Sequence, residues 1–337
     1  MDNITHTLTG LALSNTGLNR KTRYALLALL IGANLPDIDV ISGFWGSADY
    51  LKYHRGITHS LIGITALAAL LALVIYLFGR KAQPNPKKPP LNGRWLFLVC
   101  LIATASHLLL DFTNDYGIRP FLPFSGRWYA LDIEFIFDPV LLTILIAGFA
   151  LPALFRLVTE EVGARKPGYQ LGAVLSLCGV LALWGVRLAA HQRAVNMLEA
   201  RTYGGENPVR VGAFPDMVNP FEWHCVVDTD NAFRVLPVEV LSGGLDEADQ
   251  AILFKPQRSP ALDVALDTST AKIFLNFARF PWAEVEPSDQ GTTVVIHDLR
   301  FYAARQTRHG FEVRVELGKN LQVLSQSFSF RPPGKPF

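Results

Sequence analysis

Cysteine is scarce in this chain. Its three residues, Cys100, Cys178 and Cys225, form no CxxC pair, which speaks against both a thiolate zinc site and a disulfide framework. Charge is scarce as well: Asp, Glu, Lys and Arg make up 18% of the residues and the net charge is +2. So even a balance gives no argument for a concentrated basic face, and no nucleic-acid partner is expected. The start of the chain lacks a basic region leading into an unbroken apolar core and a small-residue cleavage site, so we expect it to be retained and not cleaved as a signal peptide. There is no internal repeat, and the Pro/Lys stretch at 84–90 is the only low-complexity tract.

Apolar residues are abundant, at 50% of the chain, and they are unevenly placed. Residues 60–78 carry no charge over the length a bilayer core requires. Residues 95–110, 135–155 and 169–190 read as three further spans, while 24–35 and 4–13 read as partial helices. Pro36 disfavours helix at the residue before it. Beyond residue 194 the pattern changes to polar–apolar alternation, as in 311–317 with turn residues at 318–320. Further strands are expected at 225–227, 233–240, 272–280, 292–302 and 321–330, with a frayed Pro-Pro-Gly tail. The expected fold is thus a mainly α, polytopic membrane bundle over 1–194, followed by a small β-rich extramembrane domain over 195–337.

Basic residues set the orientation. Arg20, Lys21 and Arg23 form one cluster, the 80–94 loop a second, and Arg156, Arg165 and Lys166 a third. Placing all three in the cytoplasm satisfies the positive-inside rule. Alternating crossings then put Asp37, Asp39, His54, His59, His107 and Asp111 together on the outer side. His6 joins them if the first short helix runs inward, and everything after about 195 also lies outside.

Those seven residues lie in or beside apolar segments, where an Asp costs about 2.5–3.5 kcal/mol at a helix centre, so they mark a functional site. His107 and Asp111 are four apart and share a helical face. Asp37 and Asp39 point the same way if their stretch is extended. His54 and His59, with Gly56 between, suit a loop that delivers one ligand and a helix start that delivers the other. Imidazole plus carboxylate suits zinc first, with manganese or iron as alternatives, as one ion or as two with a bridging Asp. Arg55 is suited to a bidentate grip on phosphate, Asp39 to the role of ligand or general base, and Asn114, Asp115 and Asp132 to outer contacts. Each residue alone also has a plain use: Asp37 and Asp39 as helix caps, His107 and Asp111 as a hydrogen-bonded pair. Seven such coincidences on one membrane face are the less economical account.

The runs His6-Thr7, Asn34-Leu35-Pro36-Asp37-Ile38-Asp39, His54-Arg55-Gly56-Ile57-Thr58-His59-Ser60 and His107-x-x-x-Asp111 resemble the YdjM-like family of membrane-bound metal-dependent hydrolases. The resemblance covers roughly residues 1–155. It implies an inner-membrane hydrolase in which His6, Asp37, His54, His59, His107 and Asp111 occupy the matching motif positions. The HxxxD helix is more loosely similar to zinc-dependent phospholipase C, which favours phosphate-ester chemistry. The expected function is therefore hydrolysis, through metal-activated water, of a phosphate ester of a membrane lipid or lipid-linked substrate at the outer leaflet. Rival classes are a transporter or proton-relay protein and a non-catalytic assembly protein, with the β-rich domain as a surface for a protein partner.

Overall fold

A computed structural model describes residues 1–83, 86–162, 168–245, 250–302 and 311–330. The chain divides into two compact units: Met1–Asp39 with Arg55–Leu188, and Val40–His54 with Ala189–Phe337.

The first unit is helical. Helix α1 (Asn3–Asn15) is capped by Asp2, whose carboxylate accepts from the Ile4 and Thr5 amides. Helix α2 (Ala25–Gly32) stops after 8 residues, and a 3-10 run over Leu35–Trp45 follows, crossing into the second unit. Helix α4 (Leu61–Gly79) is capped by Ser60 and α5 (Gly93–Thr113) by Asn92. The 19 residues of α4 span about 28 Å at 1.5 Å each, the thickness of a hydrocarbon core. Helix α6 (Pro139–Val162) starts four residues later than the hydropathy suggests. The Asp138 carboxylate caps it through the Val140 and Leu141 amides, with Pro139 at the first position. Helix α7 (Tyr169–Glu199) is long and runs on into the second unit. Small residues (Ala28, Ala68, Ala103) let α2, α4 and α5 pack around Leu29, Leu71, Leu96 and Val99. Gly32 is one of the tight places, since a Cβ there would stand 2.7 Å from that of Ala103.

The second unit begins with α3 (Ser47–Tyr53) and otherwise lies C-terminal. One antiparallel sheet orders β1 (Arg210–Pro215), β2 (Glu222–Asp228) and β3 (Ala232–Glu239). Both β4 (Gly244–Leu245) and β5 (Ala251–Phe254) pair with β3. A second is a four-stranded meander of β6 (Pro281–Ser288), β7 (Gly291–Asp298), β8 (Glu312–Gly318) and β9 (Val323–Ser329). Between them lie α8 (Pro260–Asp267) and α9 (Ser269–Phe277). The strand expected at 272–280 is thus a helix. Thr268 caps it through the Ala271 amide, and its buried residues Ala271, Phe274 and Phe277 recur at helical spacing. The Pro-Pro-Gly tail lies outside the described residues.

Candidate metal centre

Four donors from three elements of the first unit meet. Asp37 comes from the 3-10 run after α2, His59 from a short 3-10 turn (Ile57–His59) just before α4, and His107 and Asp111 from consecutive turns near the end of α5. The His59 and His107 Nε2 atoms are 3.1 Å apart. Asp37 Oδ1 stands 3.4 Å from the first and 3.5 Å from the second; Asp111 Oδ2 stands 3.3 and 3.4 Å from them. Zinc bonds of about 2.0–2.1 Å imply ligand separations of about 3.3–3.4 Å in a regular tetrahedron. Five of the six edges therefore have the right length for one small cation. Asp111 Oδ2 is buried and accepts no hydrogen bond among the described residues, as befits a donor directed at an ion. His59, His107 and Asp111 are buried and Asp37 is partly exposed, so Asp37 marks the side from which the centre is reached.

The backs of both imidazoles are held. His59 Nδ1 lies 3.1 Å from Asp39 Oδ2 and 3.0 Å from Thr58 Oγ1. The same Asp39 oxygen accepts from the Arg55 amide and the Thr58 hydroxyl. His107 Nδ1 is 2.7 Å from the Ala33 carbonyl. Fixing Nδ1 presents Nε2 to the centre, the usual arrangement of a metal-binding histidine. Burial alone would disfavour a charged His59, but the carboxylates of Asp111, Asp37 and Asp39 around its ring outweigh it and raise its pKa to about 10. The cluster thus calls for positive charge, and two carboxylates with two imidazoles form a donor set that suits a divalent ion. Gly63 makes room for this turn: a Cβ there would stand 1.7 Å from the Ile57 carbonyl oxygen.

The remaining sequence candidates fall around or apart from this set. Asp39 stands behind His59, outside the four-donor set, although one of its carboxylate oxygens lies within 4.8 Å of one of Asp37. Arg55, buried and with a φ of +52°, directs Nη2 to Asp111 Oδ1 (3.0 Å) and Nη1 to Asn114 Oδ1 (2.9 Å) and the Gly117 carbonyl (3.0 Å). Both terminal nitrogens are engaged inside the protein, which does not fit the expected grip on phosphate. Asn114 Oδ1 also accepts from the Tyr116 and Gly117 amides, so it buttresses Arg55. The His6 ring stacks on His107 at 3.8 Å, with Nε2 3.5 Å from Asp111 Oδ1, an oxygen that also meets the Met1 amine. His54 belongs to the second unit, where it ends α3 and stacks on Tyr50 at 4.5 Å.

One buried charge cluster was not anticipated. Arg187 on α7 lies 2.5 Å from Asp138 and 3.5 Å from Glu134, all three fully buried, and donates to the Ile133 carbonyl. Burial and the neighbouring Asp138 raise the Glu134 pKa to about 9. Arg187, a charge inside an apolar run, was the available signal.

Among the described residues, five helical stretches are long and apolar enough to cross a membrane: Ala25–Trp45, Leu61–Gly79, Gly93–Thr113, Pro139–Leu157 and Tyr169–Glu199. This is a multi-pass membrane protein, with one more candidate span than the four full ones read from hydropathy. It belongs to the YdjM inner membrane protein family, whose family model matches residues 1–194. It is also 30% identical over 339 residues to the uncharacterized protein YfhP of Bacillus subtilis (strain 168), covering 96% of this chain and 94% of that protein. That likeness extends through the β-rich unit, well beyond the 1–155 core. No solved structure matches the chain.

Proposed function

We propose that this protein is a membrane-bound metal-dependent hydrolase acting on a phosphate ester of a lipid or lipid-linked substrate. The observation that carries the reading is the near-tetrahedral set of Asp37, His59, His107 and Asp111. It lies where α4 begins and α5 ends, close to where a lipid headgroup would lie. Those four residues would hold a divalent ion, with zinc the best fit, which when bound would supply Lewis acidity and an acidified water.

In this reading the chain's own residues hold and orient. Asp39 and Thr58 fix the tautomer of His59, and the Ala33 carbonyl fixes that of His107. Arg55 compensates the buried charge of Asp111 and sets its angle, a positioning role, with Asn114 holding Arg55 in turn. Asp37, the donor with solvent exposure, stands where substrate arrives. His54 belongs to the second unit and is left out of this four-donor set. The positive-inside rule, applied to the basic clusters, supports an extracytoplasmic side for this end of the bundle and for the β-rich unit.

A second reading has its own support. Four protein donors complete a tetrahedron, and closed sites of that kind are structural. Metal analysis and turnover on short-chain lipid phosphates separate the two. We expect about one equivalent of metal in the detergent-purified protein, with activity, and loss of both in Asp37→Ala and His107→Ala while membrane insertion persists. Bound metal without turnover on any phosphate ester favours the structural reading. Turnover that survives either substitution refutes the proposal.

A further inference from the structure

Residues 118–129 form a hairpin with an apolar tip that the metal centre leaves unused. Ile118 and Tyr129 exchange both backbone hydrogen bonds, at 2.8 and 2.9 Å. The Phe124 and Ser125 amides close the tip on the Phe121 carbonyl. At that tip Phe121 is 46% exposed and Phe124 85%, and Arg127 is exposed beside them.

The base of the hairpin is tied to the first turns of α4 and to α5. Ile118 packs against Ile64 of α4 and Leu108 of α5. The Pro120 carbonyl accepts from the amide of Leu61, the first residue of α4, at 2.9 Å. Ile64 lies about 4.5 Å deeper than Leu61 along the helix axis, at 1.5 Å per residue. The chain therefore climbs from the level of Ile64 at Ile118 to that of Leu61 at Pro120. The tip that follows reaches the layer just beyond the start of the span, where the headgroups lie.

We infer that the Phe121–Phe124 tip is a membrane-contacting element, with both phenyl rings in the headgroup–acyl boundary of the bilayer that α4 crosses. Rings that would be an exposed apolar patch in water find apolar surroundings there, and Arg127 faces lipid phosphates. Leu61 and Ile62, about half exposed on the first turn of α4, continue the same surface. This contact rests on the membrane assignment and not on catalysis, so it can fail while the hydrolase reading stands.

The test places an environment-sensitive NBD fluorophore on Phe124→Cys in a Cys178→Ala background, since Cys100 and Cys225 are buried. The protein is reconstituted into vesicles of phosphatidylcholine and phosphatidylglycerol. The expected result is a blue-shifted emission that loses most of its intensity to a nitroxide carried near the lipid headgroup. A nitroxide deep in the acyl chain should remove less, and aqueous iodide little. Strong quenching by iodide would show the tip in water and overturn the inference. Protection from every quencher would show it covered by protein, a second copy included, and overturn it equally. A label at Phe121→Cys gives the same reading where the first variant fails to fold, and metal content checks the fold of either.

Discussion

An imidazole binds a cation well with one nitrogen when its other nitrogen is held, and this centre holds both rings from behind. His59 is the stronger case because its support is a carboxylate. Asp39 lies 3.1 Å from Nδ1 and is itself fixed by the Arg55 amide and the Thr58 hydroxyl. Asp39→Asn keeps the shape but removes the charge that makes His59 a better donor. Loss of such an outer partner weakens metal affinity by about 10- to 100-fold. We expect that loss in a competition titration against a chelator, with the fold intact; unchanged affinity would return Asp39 to the role of general base. The primary donors were legible in sequence because ionisable side chains stand out in apolar segments. The support for His107 was not, because it is the backbone carbonyl of Ala33, which no residue type announces. Arg55 stood out in the sequence, but its partner did not: a guanidinium suits a carboxylate as well as a phosphate, and only the fold shows that Asp111 lies beside it.

Two short elements decide which side chains reach the centre. After Gly32 the chain enters a 3-10 run through Asp37 and Asp39, not the extended stretch in which the two would point the same way. At three residues per turn, positions two apart differ by about 240° in direction. Asp37 therefore reaches the four-donor set while Asp39 lies at the far edge of His59, with the two carboxylates still within 4.8 Å of each other. The second element, the Ile57–His59 turn, lies against α4 at Gly63, where the ring of His59 is set by backbone contact. Gly63→Ala puts a methyl carbon 1.7 Å from the Ile57 carbonyl oxygen, closer than any packing allows, and the turn must move. Displacing His59 removes one of the four proposed donors, so this variant should lose most of its bound metal by elemental analysis while α4 still inserts. Retention of wild-type metal content would mean that His59 is dispensable. The α9 segment carries a related lesson about sequence. Residues 272–280 include enough aromatic and β-branched residues to read as a strand, but the capping Thr268 and the spacing of Ala271, Phe274 and Phe277 carry the helix.

At the scale of the molecule, the helical unit has two chemically different ends. Arg23 donates to the Gln83 carbonyl and its amide bonds to the Pro90 carbonyl, Thr22 pairs with Asn92, and Lys21 lies over Trp95. The first two basic clusters read from the sequence therefore meet at one end. Gln170, at the start of α7, joins that end through the Thr16 carbonyl. The Asp/His set sits at the other end, where α4 begins and α5 finishes. If the basic end is cytoplasmic, α7 starts in the cytoplasm. One crossing by its 31 residues, about 46 Å at 1.5 Å each, carries the chain to the metal side. The β-rich unit that follows must then be extracytoplasmic. Alkaline phosphatase fused after the last strand should be active, and a green fluorescent protein fused at the same point should stay dark. The opposite pair of results would reverse the topology and place the metal centre at the cytoplasmic leaflet. The donor geometry would be untouched, but the lipid phosphates within its reach would be those of the inner face.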